Sequence, residues 1–137
     1  MAGRTKQEEL IVITKTYDLI LWSCNHTGKF PRNHRFVLGE RIERTLYDLL
    51  EILIRAKYAR QRQPLLEQAN LTLEILRFQM RLAKDLQCLK VESYGFAAKA
   101  IDEIGRVSGK QRGHVDRSGQ RSPTGRPSAA GGDAKGV

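Results

Sequence analysis

The sequence predicts an all-α protein, an up-down-up-down bundle of four antiparallel helices. Apolar residues recur at spacings of three and four over long stretches, which is the periodicity of a helix buried on one side. Short runs of turn-forming residues separate these stretches, and no segment shows the alternating pattern of a strand. Because short connections favour antiparallel neighbours, the four helices are expected to form one bundle.

The first helix is expected to begin at Thr5. Thr5 and Glu8 have the spacing of a capping box, in which each side chain satisfies a free backbone N–H. Gly28 and Pro31 end this helix, because glycine accepts a left-handed C-terminal conformation and proline cannot continue the hydrogen-bond ladder. Its predicted inner face consists of Leu10, Ile13, Tyr17, Ile20, Leu21 and Cys24.

The second helix is expected to start around Arg32 or Asn33 and to close near Tyr58. Gly39 lies inside it and costs about 1 kcal/mol relative to alanine. A close helix crossing is one reason to keep a glycine there. The predicted inner face consists of Leu38, Ile42, Thr45, Leu46, Leu49 and Leu53.

The third helix, expected over residues 64–89, carries two apolar stripes. One stripe consists of Leu65, Ala69, Leu73, Leu76, Met80 and Ala83. The other consists of Leu71, Ile75, Phe78, Leu82, Leu86 and Leu89. A monomeric bundle needs one core-facing stripe on each helix, so the second stripe predicts packing against another subunit.

The fourth helix is expected to be capped by Ser93, and the bundle to end at residue 108. Its predicted face consists of Tyr94, Ala97, Ala98, Ile101, Ile104 and Gly105. Residues 109–137 are rich in glycine, contain no aromatic residue and include several cations, so they are expected to form a disordered basic tail. The expected organisation is therefore a bundle over 1–108 and a tail over 109–137.

The formal net charge of +9 favours an anionic partner, with nucleic acid first and an anionic membrane surface second. A basic protein that binds no polyanion is the alternative. No apolar run is long enough to span a bilayer, so the protein is expected in the cytoplasm. Cys24 and Cys88 have no partners at metal-ligand spacing, and no catalytic constellation or phosphate loop is evident. We therefore expect a non-enzyme without metal or cofactor.

Two basic groups are the candidate binding residues for nucleic acid or a polymerase. The first lies in the third helix and comprises Arg77, Arg81 and Lys84; the second ends the second helix and comprises Arg55, Lys57, Arg60 and Arg62. Glu74 and Asp85 lie at helical pairing distance from the two arginines of the first group, so ligand contact and intrahelical pairing remain alternatives there. The helix dipole accounts for part of the second group. No exposed aromatic set for base stacking is evident, so phosphate contacts are expected to dominate RNA affinity.

Several segments resemble one known family in their order and spacing. These are residues 30–36 (FPRNHRF), 39–42 (GERI), 76–78 (LRF), 81–85 (RLAKD) and 101–106 (IDEIGR). Together they resemble the accessory variability determinant (Avd) of diversity-generating retroelements, over about residues 16–106. The sister family, encoded in intervening sequences of bacterial 23S ribosomal RNA genes, has a second-helix signature that this chain lacks.

The resemblance implies a barrel-like homopentamer with a basic surface that binds a reverse transcriptase and its structured template RNA. Such a complex copies a template repeat with adenine-directed errors and passes the cDNA to a variable gene, a process called mutagenic retrohoming. Arg77 and Arg81 match the recurring third-helix arginines of the family. The chain departs from the family after Arg106, where apolar residues and a tryptophan often follow. The alternatives are a bundle of the ribosomal intervening-sequence type and a protein-interaction module whose arginines pair with an acidic partner.

Overall fold

The computed structural model describes the backbone of residues 6–119 and the side chains of residues 7–109. It contains four long helices, which we call α1 (Lys6–Thr27), α2 (Glu40–Tyr58), α3 (Gln63–Asp85) and α4 (Val91–Gly119). A short helical turn, Arg32–His34, and a π-helical turn, Arg35–Gly39, lead into α2. The described range holds no strand, and the prediction of an all-α four-helix fold is confirmed.

Each helix packs against its neighbours in the chain, and α1 also packs against α4. This is the arrangement of an up-down-up-down bundle, in which α1 lies diagonally opposite α3. The core comes from all four helices, and α3 contributes the predicted inner stripe. The best-buried apolar side chains of the core include Leu19, Ile42, Leu46, Leu49, Leu73, Leu76, Met80, Ala97, Ile101 and Ile104.

Two predicted helix boundaries differ from the structure. α3 ends at Asp85 and not near residue 89, because Gln87 adopts a left-handed conformation (φ 66°) and the Cys88 N–H donates to the Ala83 carbonyl at 2.7 Å. α4 begins at Val91, before the predicted cap at Ser93, and the Tyr94 N–H already donates to the carbonyl of residue 90 at 2.9 Å. The predicted cap of α1 at Thr5 lies outside the described residues.

The boundary predicted between residues 108 and 109 falls inside α4, which continues to Gly119. A helix that has already been nucleated gains one hydrogen bond for each residue that it adds, so a polar segment can extend it without burying apolar surface. Residues 120–137 of the predicted tail lie outside the described residues.

The close crossing expected at Gly39 is present. Gly39 is buried, and a Cβ atom at this position would lie 3.4 Å from Phe30 Cδ2 and 3.4 Å from the Cβ of Thr27. The Thr27 hydroxyl also donates a hydrogen bond to the Glu43 carboxylate. The absence of a side chain at Gly39 therefore lets the start of α2 lie directly on the end of α1.

Candidate interaction surfaces

Arg77 is held by two carboxylates within the protein. Its Nη1 lies 2.6 Å from Glu74 Oε1, and its Nη2 lies 2.7 Å from Asp102 Oδ1. The sequence predicted the first contact, but the second joins α3 to α4 and cannot be inferred from helical spacing. Through these two ion pairs Arg77 ties α3 to α4. Only 34% of its side chain is exposed, so it offers little surface to a partner.

The other two cations of this group differ in how available they are. Arg81 is 62% exposed, and its Nε lies 4.0 Å from Asp85 Oδ2, which is at the limit of an ion pair. Lys84 lies 3.5 Å from Asp85 Oδ1 and places its ammonium group 5.1 Å from the centre of the Tyr94 ring. Arg81 is therefore the member of the group best placed to contact a partner.

The four cations of the second basic group, residues 55, 57, 60 and 62, also differ in how available they are to a partner. Arg62 Nη2 lies 3.0 Å from Glu9 Oε2, and its Nε donates to the Ala56 carbonyl at 3.0 Å. These contacts cap the C-terminus of α2 and fasten it to α1. Arg55 and Arg60 are exposed, and Arg55 lies 3.7 Å from Glu51. Lys57 is partly buried, lines the cavity described below and places its ammonium group 5.3 Å from the centre of the Tyr58 ring.

The structure does not bring the two basic groups to one site. Arg62 precedes the first residue of α3, and Arg81 lies near its last turn. With a rise of 1.5 Å per residue, these two positions are about 28 Å apart along the helix. The basic residues therefore occupy two separate parts of the bundle surface.

A small cavity lies beside Arg62, between the start of α1 and the end of α2. Its volume is about 20 Å³, which is room for a single water molecule. The Ser108 hydroxyl lines it and has no hydrogen-bond partner among the described residues. Within the described part of the chain, no three His, Cys, Asp or Glu side chains are placed to hold a metal ion.

Of the two apolar stripes that the sequence predicted on α3, one is buried in the core and the other is largely uncovered. We call this surface the α3 ridge; its side chains are between 41% and 62% exposed and are Leu71, Ile75, Phe78, Leu82 and Leu86. Leu89, which the prediction placed in the same stripe, is buried in the turn after α3. The ridge lies on the face of α3 opposite its core residues, because its members recur with the same helical period half a turn away.

A second set of exposed apolar side chains lies on the neighbouring helices α1 and α2. We call it the α1/α2 groove; its side chains are between 40% and 77% exposed and are Leu10, Tyr17, Leu21, Tyr47, Ile54 and Tyr58. The prediction that Leu10, Tyr17 and Leu21 face the core is wrong. α1 carries apolar residues on several sides, and its buried face includes Val12, Thr16, Leu19 and Ser23.

Contacts at successive levels show that α1 and α2 run side by side along this groove. The Cys24 thiol lies 3.7 Å from the Tyr47 hydroxyl, and the Glu9–Arg62 pair joins the opposite ends of the two helices. The hydrogen bond with Cys24 raises the pKa of Tyr47 above its ordinary value. The spacing of Tyr47, Ile54 and Tyr58 on an otherwise polar face is a signal that could have revealed half of the groove from the sequence.

None of the described helices is both long and apolar enough to cross a bilayer. A family model described as bAvd-like matches residues 10–112. The matched range covers nearly all of α1, both turns before α2, α2, α3 and most of α4. No curated protein matches the chain.

Proposed function

The chain belongs to the bAvd-like family, and we propose that it is a non-catalytic accessory subunit of a diversity-generating retroelement. In this role it forms a basic oligomeric scaffold that holds the reverse transcriptase and its structured template RNA together during mutagenic cDNA synthesis. It acts in the cytoplasm and needs no metal or cofactor. The family membership supports the Avd-type role, and the surfaces of the bundle support the scaffold.

The observation that carries the scaffold proposal is the presence of two different apolar surfaces on one small bundle. The α3 ridge and the α1/α2 groove lie on different sides, since α3 is diagonal to α1. Exposed apolar patches of this kind mark interaction sites. The α3 ridge of one copy can pack into the α1/α2 groove of the next copy, in the way that helices pack ridges into grooves.

A contact between unlike surfaces has a consequence for symmetry. When the ridge of one copy enters the groove of the next, the two end copies of the chain keep one free ridge and one free groove until the ring closes. We propose that it closes as a homopentamer. The number of copies is what the family resemblance implies. At 1.5 Å per residue the ridge from Leu71 to Leu86 is about 22 Å long, which is enough to cover the groove from Tyr47 to Tyr58, about 16 Å long.

The proposed RNA contact uses three cations of the second basic group together with Arg81 where the ring leaves it free. Arg55 and Arg60 are exposed and Lys57 is partly buried near the end of α2, whereas Arg62 and Arg77 serve the bundle itself. Phosphate contacts by such side chains release counterions, so the logarithm of the binding constant should fall linearly with the logarithm of the salt concentration.

The test is reconstitution with the reverse transcriptase and template RNA of the same element. The full chain should co-purify with both, and replacing Arg55, Lys57 and Arg60 by glutamine should weaken RNA binding and flatten its salt dependence. A variant that loses the polymerase but keeps RNA binding would instead support the protein-interaction module. Wild-type protein that binds neither partner would contradict the proposal.

A further inference from the structure

The turn between α1 and α2 exposes an aromatic ring among cations. Phe36 and Val37 are 66% and 70% exposed, although two other apolar residues of the same turn, Phe30 and Leu38, are buried. Lys29, Arg32 and Arg35 are also exposed, and residues 28–39 contain no acidic side chain. The bundle core, the α3 ridge and the α1/α2 groove do not account for this surface.

Buried residues and backbone hydrogen bonds hold the turn between α1 and α2 in one conformation. Phe30 at the start of the turn is fully buried, and Leu38 and Gly39 at its end are buried too, so both ends of the turn are anchored to the core. The Pro31 carbonyl accepts hydrogen bonds from the N–H groups of His34 and Arg35, at 2.8 and 2.9 Å. An exposed ring on such a rigid support loses little freedom when it is bound.

The π-helical turn Arg35–Gly39 decides which side chains face outward. Its wider coil places Leu38 and Gly39 inside and leaves Phe36 and Val37 outside. Such π-helical turns are uncommon in helices and occur frequently at functional sites. The Arg35 guanidinium carbon lies 5.7 Å from the centre of the Phe36 ring, so a cation already accompanies the ring.

We propose that this turn binds an unpaired stretch of nucleic acid, with one base stacked on Phe36 and the neighbouring phosphates near Lys29, Arg32 and Arg35. Exposed aromatic rings surrounded by cations are the combination with which proteins hold single strands. An acidic protein segment could also pair with the cations, and the experiment below distinguishes it from a single strand. The inference rests on the proposed function in that this protein encounters RNA, and it departs from the expectation that no exposed aromatic set is available for base stacking.

Cyclic assembly would strengthen this binding. In any ring with rotational symmetry, equivalent points lie on one circle at one level, so the turns of all copies face the same rim. A single strand that follows the rim could contact several turns, and each further contact would form at a high effective concentration.

The experiment is fluorescence anisotropy with the full-length protein and a labelled oligouridylate, compared with an RNA duplex of the same length. Phe36→Leu keeps an apolar side chain and removes the ring, while Phe36→Trp keeps a ring that can stack. Because stacking of one base contributes a roughly 5- to 150-fold change in affinity, Phe36→Leu should weaken oligouridylate binding by at least about fivefold. Phe36→Trp should bind as tightly as wild type, and neither change should alter duplex binding.

With the single-stranded oligouridylate, Arg32→Gln and Arg35→Gln should each reduce the slope of the salt dependence by about 0.7 for every phosphate contact that is lost. Equal oligouridylate binding by wild type and Phe36→Leu would overturn the stacking site, and so would wild-type protein that binds no oligouridylate. If Phe36→Leu instead loses the polymerase while RNA binding is unchanged, the turn is a protein-docking surface. In each of these cases, retained binding of template RNA would leave the proposed scaffold function intact.

Discussion

Replacing Phe78 by glutamate should dissociate the ring without unfolding the bundle. Phe78 lies in the middle of the α3 ridge and is more than half exposed, so a carboxylate there meets water in the free protomer. In the assembled ring the same carboxylate would be buried against the apolar α1/α2 groove of the next copy. The substitution therefore acts on the interface and not on the fold.

The magnitude follows from the exposed apolar surface. Burying a large apolar side chain completely contributes about 1.5–3 kcal/mol, so each half-exposed member of the ridge or the groove contributes about 1 kcal/mol. The five ridge and six groove side chains then give roughly 11 kcal/mol for each contact, against an association cost of about 4–15 kcal/mol. The net stability of one contact is therefore small, and losing Phe78 while burying a carboxylate should weaken the contact at least 100-fold.

The assay is the solution mass by light scattering, together with the thermal unfolding midpoint. Phe78→Glu should have the mass of one 15.6 kDa chain and a helical circular dichroism spectrum like that of the monomeric wild type at high dilution. Lys99→Gln is the matched control, because it changes the charge by the same amount at an exposed position on α4. A Phe78→Glu protein with the mass of wild type would refute the assignment of the ridge to the interface.

Three further predictions concern single residues. Arg81→Gln should weaken binding of template RNA and flatten its salt dependence. Arg77→Gln should mainly lower the unfolding midpoint, since Arg77 is held by Glu74 and Asp102. An equal loss of RNA affinity in the two variants would contradict this difference in roles. Gln87→Gly should raise the free energy of unfolding by up to about 1 kcal/mol in urea titrations, because glycine adopts φ 66° without strain, and a lower stability would show that the Gln87 side chain compensates for the strain. Leu76→Ala should lower the free energy of unfolding by about 2–5 kcal/mol, because Leu76 is fully buried in the core, and a loss below 1 kcal/mol would place Leu76 outside a packed core.

The sequence predicted the parts of the fold that rest on strong periodicity. The two stripes of α3 lie about half a turn apart, so their separation and the burial of only one of them could be read from the spacing alone. α1 was harder, because apolar residues occur on several of its sides. Leu10 and Tyr17 fit an inner face as well as Val12 and Thr16 do, and only contact with α2 and α4 decides between them.

The interaction surfaces were less predictable, because they depend on contacts between distant residues. Helical spacing revealed Glu74 as a partner of Arg77 but could not reveal Asp102, which comes from the next helix. Arg62 was predicted as a candidate binding residue, yet it caps α2 and reaches Glu9 on α1. The exposure of Phe36 accompanies the π-helical turn Arg35–Gly39, which has no sequence pattern of its own.

The most direct test of ridge-and-groove assembly is a mixture of two variants. Phe78→Glu has a damaged ridge and an intact groove. Tyr17 is about half exposed and lies between Leu10 and Leu21 in the α1 part of the groove, so Tyr17→Glu has a damaged groove and an intact ridge. Each variant alone should be monomeric, whereas an equimolar mixture should form a dimer with one copy of each and nothing larger, because only one intact ridge and one intact groove remain to meet. Light scattering over a series of protein concentrations gives the answer, since a single contact is weak. A mass that rises toward twice 15.6 kDa in the mixture alone agrees with the assembly, and a mixture whose mass equals that of either variant alone at every concentration contradicts it.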